Sequence, residues 1–194
     1  QAYYDRIQDL VPQSIKDHLQ GMAAGVAESL NMSYDPAWKM VLTQNFATEL
    51  LNMENMSEIP AAAASQILGC TAFAVTSAAG TFLCHNTDAT AMSDNIVVLM
   101  HWQPTNGDFG YMTMDPPGWA DVAFGLNEKG IGVTMNAGNP NMDARIGLPI
   151  NFMLRYVMEH AATLDEAVGY IDDFIKDGNN FGTGRHVRVI LHRD

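Results

Sequence analysis

The 194-residue chain carries 22 Asp and Glu against 10 Lys and Arg, for a net charge of −12. Hydrophobic residues make up 47% and charged residues 16%, which speaks against disorder and fits one domain, or one domain with an appended segment. The acidic balance argues against a nucleic-acid partner and gives no attraction to an anionic membrane surface; no apolar run approaches the roughly 20 residues of a transmembrane helix.

No charged n-region precedes an apolar stretch at the N-terminus, so no signal peptide is read. The chain opens on Gln1 and not Met, which leaves leader removal open, and with it the choice of a cytoplasmic, secreted or periplasmic compartment. Two cysteines fit neither a disulfide scaffold nor a paired-cysteine zinc site.

In chain order, Ile7, Val11, Ile15, Leu19, Met22, Val26 and Leu30 recur at spacings of three and four and predict a helix. Pro12 marks the first turn of its main part. Asp35-Pro36 reads as an N-cap and first helical residue, opening a helix to about Asn55 that buries Trp38, Val41, Leu42, Phe46 and Leu50. Residues 57–69, with a Pro, a run of alanines and a Gly, read as a connector.

The stretch Cys70–Val75 alternates as a strand, Thr76–Gly80 supplies turn residues, and Thr81–Asp88 returns antiparallel. A hairpin centred on Ala79 sets Cys70 against Asp88, Ala72 against Asn86 and Ala74 against Cys84, with His85 on the opposite face. A slip of one residue would undo that arrangement. Further strands are predicted over Asn95–Trp102, Tyr111–Met114, Trp119–Leu126 and Ile131–Asn136, the last two joined by the turn Asn127–Gly130. Together they form an antiparallel meander of about six members. A helix over Asn151–Ala161 follows. A capping box, Thr163-Leu164-Asp165-Glu166, then opens another helix, closed by Gly178. Val187–Leu191 is a last strand. The order predicts an α+β layered domain.

For chemistry, a lone Cys70 is weak evidence, since most free cysteines are small buried core residues. A disulfide to Cys84 is disfavoured because the expected register sets Cys84 opposite Ala74. The histidines show no i, i+4 metal-ligand spacing, so no metal site and no cofactor are expected. His192-Arg193-Asp194 echoes a kinase catalytic loop without the accompanying glycine loop. Gly125, Gly130 and Gly132 sit in a hairpin and cradle no phosphate. One arrangement needs no histidine: cleavage between Gly69 and Cys70 would give Cys70 both a thiol and a free α-amine, the amine acting as base. An adjacent Asp88 would orient it.

Gly69-Cys70-Thr71-Ala72-Phe73 and the return segment His85-Asn86-Thr87-Asp88 resemble the mature start and the His/Arg-Asn-x-Asp segment of cysteine-type Ntn-hydrolases. The family is that of penicillin acyltransferase and carcinine hydrolase, related to choloylglycine hydrolases and acid ceramidases. Gly125–Gly132 followed by Asn136, Asp115-Pro116-Pro117-Gly118-Trp119, residues 19–26 and Thr163–Ala167 also resemble its motifs.

The resemblance implies an αββα four-layer sandwich with antiparallel sheets, continuing past Asp194. It implies division into a helical pro-segment or α-chain over residues 1–69 and the first part of a catalytic domain over 70–194. It further implies a zymogen cut autocatalytically before Cys70, acting as an amidase, hydrolase or acyltransferase on a small-molecule acyl or amide substrate. Cys70 is then the nucleophile, Asp88 positions its amine and Asn136 serves the oxyanion. Asn86, expected on the active face, and His85, expected behind it, are supporting residues. The cleaved chains associate with one another, and homo-oligomerisation is left open. Trp102, Tyr111, Met114 and Trp119 are candidates for an apolar acyl pocket, with core packing the commoner role of such residues. The alternatives are an uncleaved, inactive homologue serving as a binding or structural domain, and a lipid acyl hydrolase of the same fold.

Overall fold

A computed structural model describes residues 1–47, 49, 70–87, 96–137, 146–179 and 185–191. Gly69, Asp88, Leu50 and the connector over 57–69 lie outside the described residues.

The N-terminal stripe folds as a short helix α1 (Ala2–Ile7), a 3-10 turn (Gln8–Leu10) and a long helix α2 (Gln13–Ser29). Pro12 stands just ahead of α2 as its N-cap, where its extended backbone redirects the chain. Helix α3 (Tyr34–Asn45) has Ser33 at its N-cap position without a side-chain cap bond, so it begins ahead of the expected Asp35, and it ends at Asn45 with Phe46 as its C-cap, short of the expected Asn55. Val41, Leu42 and Phe46 are buried as expected, and Trp38 is partly buried against the core.

The strands do not form one meander. Strands β1 (Cys70–Ser77) and β2 (Gly80–Thr87) pair as a separate hairpin. Strands β3 (Val98–Trp102), β4 (Tyr111–Asp115), β5 (Phe124–Asn127), β6 (Ile131–Ala137) and β7 (Arg185–Leu191) form a five-stranded antiparallel sheet in sequence order. β5 starts later than expected because residues 119–123 are held as a loop. In that loop Asn45 bonds both Ala120 N and Gly118 O, and Gln44 bonds Pro117 O. Gly118 is at φ 88, a left-handed conformation that glycine adopts without the strain a side chain would bring.

Helices α4 (Ile150–His160) and α5 (Leu164–Lys176) follow β6. The Thr163–Glu166 capping box forms in both directions, as the sequence predicts. The core lies between one face of the sheet, carrying Tyr111, Ile131, Val133 and Met135, and the helices, with Ile15, Leu19, Phe46, Phe152, Leu154 and Met158 fully or nearly buried. The fold is thus α+β with antiparallel sheets, and the N-terminal helices share its core. Among the described residues no helix is long and apolar enough to cross a membrane.

One polar knot ties these layers. Arg155 donates to Glu159 at 2.7 Å and to the Ala120 carbonyl at 2.8 Å, and contacts His18 Nδ1 at 2.7 Å. Glu159 also accepts from Ser14 and Tyr111. Burial, and then Arg155, lower the His18 pKa to about 4, so the ring is the neutral partner. Truncating one member of a buried pair leaves the other charge uncompensated. Glu159→Ala is therefore expected to cost about 3–5 kcal/mol in urea unfolding. A loss below about 1 kcal/mol would mean that the knot is not a structural anchor.

Candidate active site

The hairpin register differs from the expected one by one residue. Cys70 pairs with Thr87, Thr71 with Asn86, Ala72 with His85 and Phe73 with Cys84. The cause is a two-residue loop, Ala78-Ala79, with Ser77 opposite Gly80 and Gly80 at φ 122. Ser77 Oγ accepts from Ala79 N and so steadies this turn. One step of register exchanges faces: Cys70, Ala72 and His85 now share one face, and Asn86 stands with Thr71, Phe73 and Cys84 on the other. The expectations for His85 and Asn86 are therefore reversed. Cys70 and Cys84 are both free thiols, on opposite faces.

The Cys70 face looks onto β5 and β6. Asn136 Nδ2 approaches the Cys70 carbonyl oxygen at 3.5 Å, a loose bond, while its Oδ1 is buried without a hydrogen-bond partner among the described residues. His85 hydrogen-bonds through Nδ1 to Thr134 Oγ1, and its ring stacks on Phe124 at 5.2 Å and 11°. Burial lowers the His85 pKa from 6.5. No sequence motif marks Thr134 or Phe124, although the alternation from Ile131 to Asn136 sets Thr134 and Asn136 on a single face.

The acyl-pocket candidates divide. Trp102 and Tyr111 face the helices, where Trp102 Nε1 bonds Thr113 and Tyr111 bonds Glu159. They are core residues on the side of the sheet away from Asn136. Trp119 is half-buried in the β4–β5 loop. Met114 lies on the Asn136 side, as do Leu99, Met112 and Leu126, all exposed. A cleft of about 380 Å³, lined by His101, Asp108, Met112, Leu126 and Glu128 among others, opens at the Tyr111 end of β4. Asn136 is at the opposite end, so the cleft is not at this site. Among the described residues no three His, Cys, Asp or Glu gather as a metal site.

Residues 75–181, more than half of the chain, match the family described as acyl-coenzyme A:6-aminopenicillanic acid acyl-transferase. The chain belongs to this family. The matched segment includes His85, Asp88, Thr134 and Asn136, and begins just after Cys70. Membership assigns the chain to a class of acyltransferases and hydrolases of the Ntn type. A comparison with curated proteins finds no match.

Beneath the Asn136 end of the sheet lies a carboxyl pair. Burial, followed by the neighbouring Asp121 carboxylate, raises the Asp115 pKa to about 8, against opposing bonds from Ala123 N–H and the Thr113 hydroxyl. Asp121 accepts from Asn151 Nδ2 at 2.9 Å. The folded state therefore holds a proton on Asp115 that the unfolded chain releases near pH 3.8. That contribution to stability is complete below the unfolded value and is lost as pH rises through about 8. Urea midpoints should fall from pH 5 to pH 9 in the native protein, and Asp115→Asn should flatten the decline. An unchanged slope in the variant would locate the titration elsewhere.

Proposed function

We propose that this protein is a self-processing N-terminal-cysteine amidohydrolase or acyltransferase acting on a small N-acyl or amide substrate. The observation that carries the reading is the approach of Asn136, on β6, to the backbone of Cys70, on β1, within a chain of the acyltransferase family. A side-chain amide beside a nucleophile is the group needed where a carbonyl oxygen gains charge.

In this reading residues 1–69 are the pro-segment, released as a separate chain by cleavage of the Gly69–Cys70 bond. The freed α-amine takes the proton of the Cys70 thiol, and the thiolate attacks the substrate carbonyl. Asn136 Nδ2 and backbone N–H groups bear the resulting oxyanion. Collapse breaks the C–N bond, and the α-ammonium returns its proton to the departing amine. The remaining thioester passes to water or to another amine. Asp88, through the family resemblance, orients the α-amine. The cleaved chains stay associated through the core that α1–α3 share with the sheet.

The four-layer αββα arrangement belongs to the same proposal. It is supported by the packing of helices on one face of the five-stranded sheet and of the hairpin on the other. It is supported too by the exposed apolar side chains Phe73, Val75 and Phe82 on the hairpin's outer face.

A panel of N-acyl amides tests the reading. Turnover should vanish in Cys70→Ala, persist in Cys84→Ala, and fall about 10²–10³-fold in Asn136→Ala. Full turnover by Cys70→Ala would sink the assignment.

A further inference from the structure

The hairpin meets the sheet at two successive levels. At one, Asn136 reaches Cys70; at the other, His85 reaches Thr134. The two levels share strands. Thr134 and Asn136 are two residues apart on β6 and so project from the same face, about 7 Å from each other. Cys70 and Ala72 are likewise two apart on β1, and Ala72 is the cross-strand partner of His85. Phe124 and Thr134 are directly paired, so the imidazole rests on one cross-strand pair, stacked on the first residue and hydrogen-bonded to the second.

We infer that His85 is a positioning residue: its bond to Thr134 sets the separation between the strand bearing the nucleophile and the strand bearing the oxyanion donor. This rests on the reading of Cys70 and Asn136 as the reacting pair.

The chemistry of the contact suits the role. A neutral imidazole has one donor and one acceptor nitrogen, and a threonine hydroxyl can meet either, so the bond forms in either tautomer. Thr134 is buried, with 1% exposure, so its hydroxyl has little access to water as a substitute partner. Phe124 restricts the ring to a plane, which fixes the direction of Nδ1 as well as its distance. The Asn136 contact is at 3.5 Å, too long to hold the two strands in register unaided. The adjoining His85–Thr134 bond supplies that restraint. Displacement of a reacting group by about 1 Å is enough to lose on the order of 10²-fold in rate.

The test uses two probes on the purified full chain. p-Nitrophenyl acetate acylates a thiol through a tetrahedral oxyanion and reports the step as a burst of p-nitrophenolate. Iodoacetamide alkylates the same thiol at carbon, with no oxyanion. His85→Phe keeps the stack and loses the bond; Thr134→Val keeps the shape and loses the hydroxyl; Thr134→Ser keeps the hydroxyl. Both His85→Phe and Thr134→Val are expected to slow the Cys70 burst about 10- to 100-fold, with the alkylation rate held within about twofold. Thr134→Ser should restore acylation to within about twofold of the native protein. The double variant His85→Phe/Thr134→Val should be no slower than the worse single one, because both remove one bond.

If the native protein shows a burst that Cys70→Ala abolishes, yet the two single variants stay within about twofold of it, the positioning role is overturned and the site reading stands. Multiplying effects in the double variant also overturn it, since the residues would then act independently. Equal losses in acylation and alkylation would mean general damage to the thiol, again against the inference. Absence of any Cys70-dependent burst in the native protein overturns the site reading, and the positioning role with it.

Discussion

Strand β6 has to satisfy two environments at once, and the arrangement of the molecule follows from how it does so. Ile131, Val133 and Met135 alternate into the helix-covered core, where all three are buried. Thr134 and Asn136 point the other way, toward the hairpin. Period-2 alternation makes this a single constraint, because moving the strand by one residue would turn Thr134 and Asn136 into the helix-covered core and the apolar set toward the hairpin. The core packing that stabilises the domain is therefore also what aims Thr134 and Asn136.

The other half of the site comes on a less constrained element. An isolated two-stranded hairpin is marginal in water, and this one leaves Phe73, Val75 and Phe82 exposed. Its position depends on what holds it to the sheet, which makes the polar contacts at Cys70 and His85 more consequential than their number suggests. Below the sheet the reverse applies. The β4–β5 loop, with no strand pairing of its own over residues 119–123, is fixed by Asn45, Gln44 and Arg155 and linked to β6 through the Met135 N to Ala123 O bond. Polar side chains from α3 and α4 there do the work that a ladder does elsewhere. The protonated Asp115 lies in the same row.

Much of this was legible in the residue order. The stripe from Ile7 to Val26, the alternation of β4 and β6, the turn ending in Gly130 and the Thr163 capping box each carry a local physical signal, and each formed. The hairpin register was not legible, since the turn has no Asn-Gly or Asp-Gly pair to fix loop length and the alanines on both sides fit either face. That single step decided whether His85 or Asn86 would share a face with Cys70. Trp102 and Tyr111 could not be assigned from apolar character alone, as both faces of β4 carry large side chains; the helix contacts of Tyr111 settle it. The separation of the strands into a hairpin and a five-stranded sheet is a long-range outcome with no local marker.

The proposed mechanism requires Cys70 to become an N-terminal residue, because a cysteine within an uncut chain has no α-amine to serve as its base. The most direct measurement is the intact mass of the purified protein, with N-terminal sequencing of each species. Self-processing gives two chains, one of them beginning at Cys70, and a single chain in Cys70→Ala. A single uncut native chain that persists through prolonged incubation would contradict it.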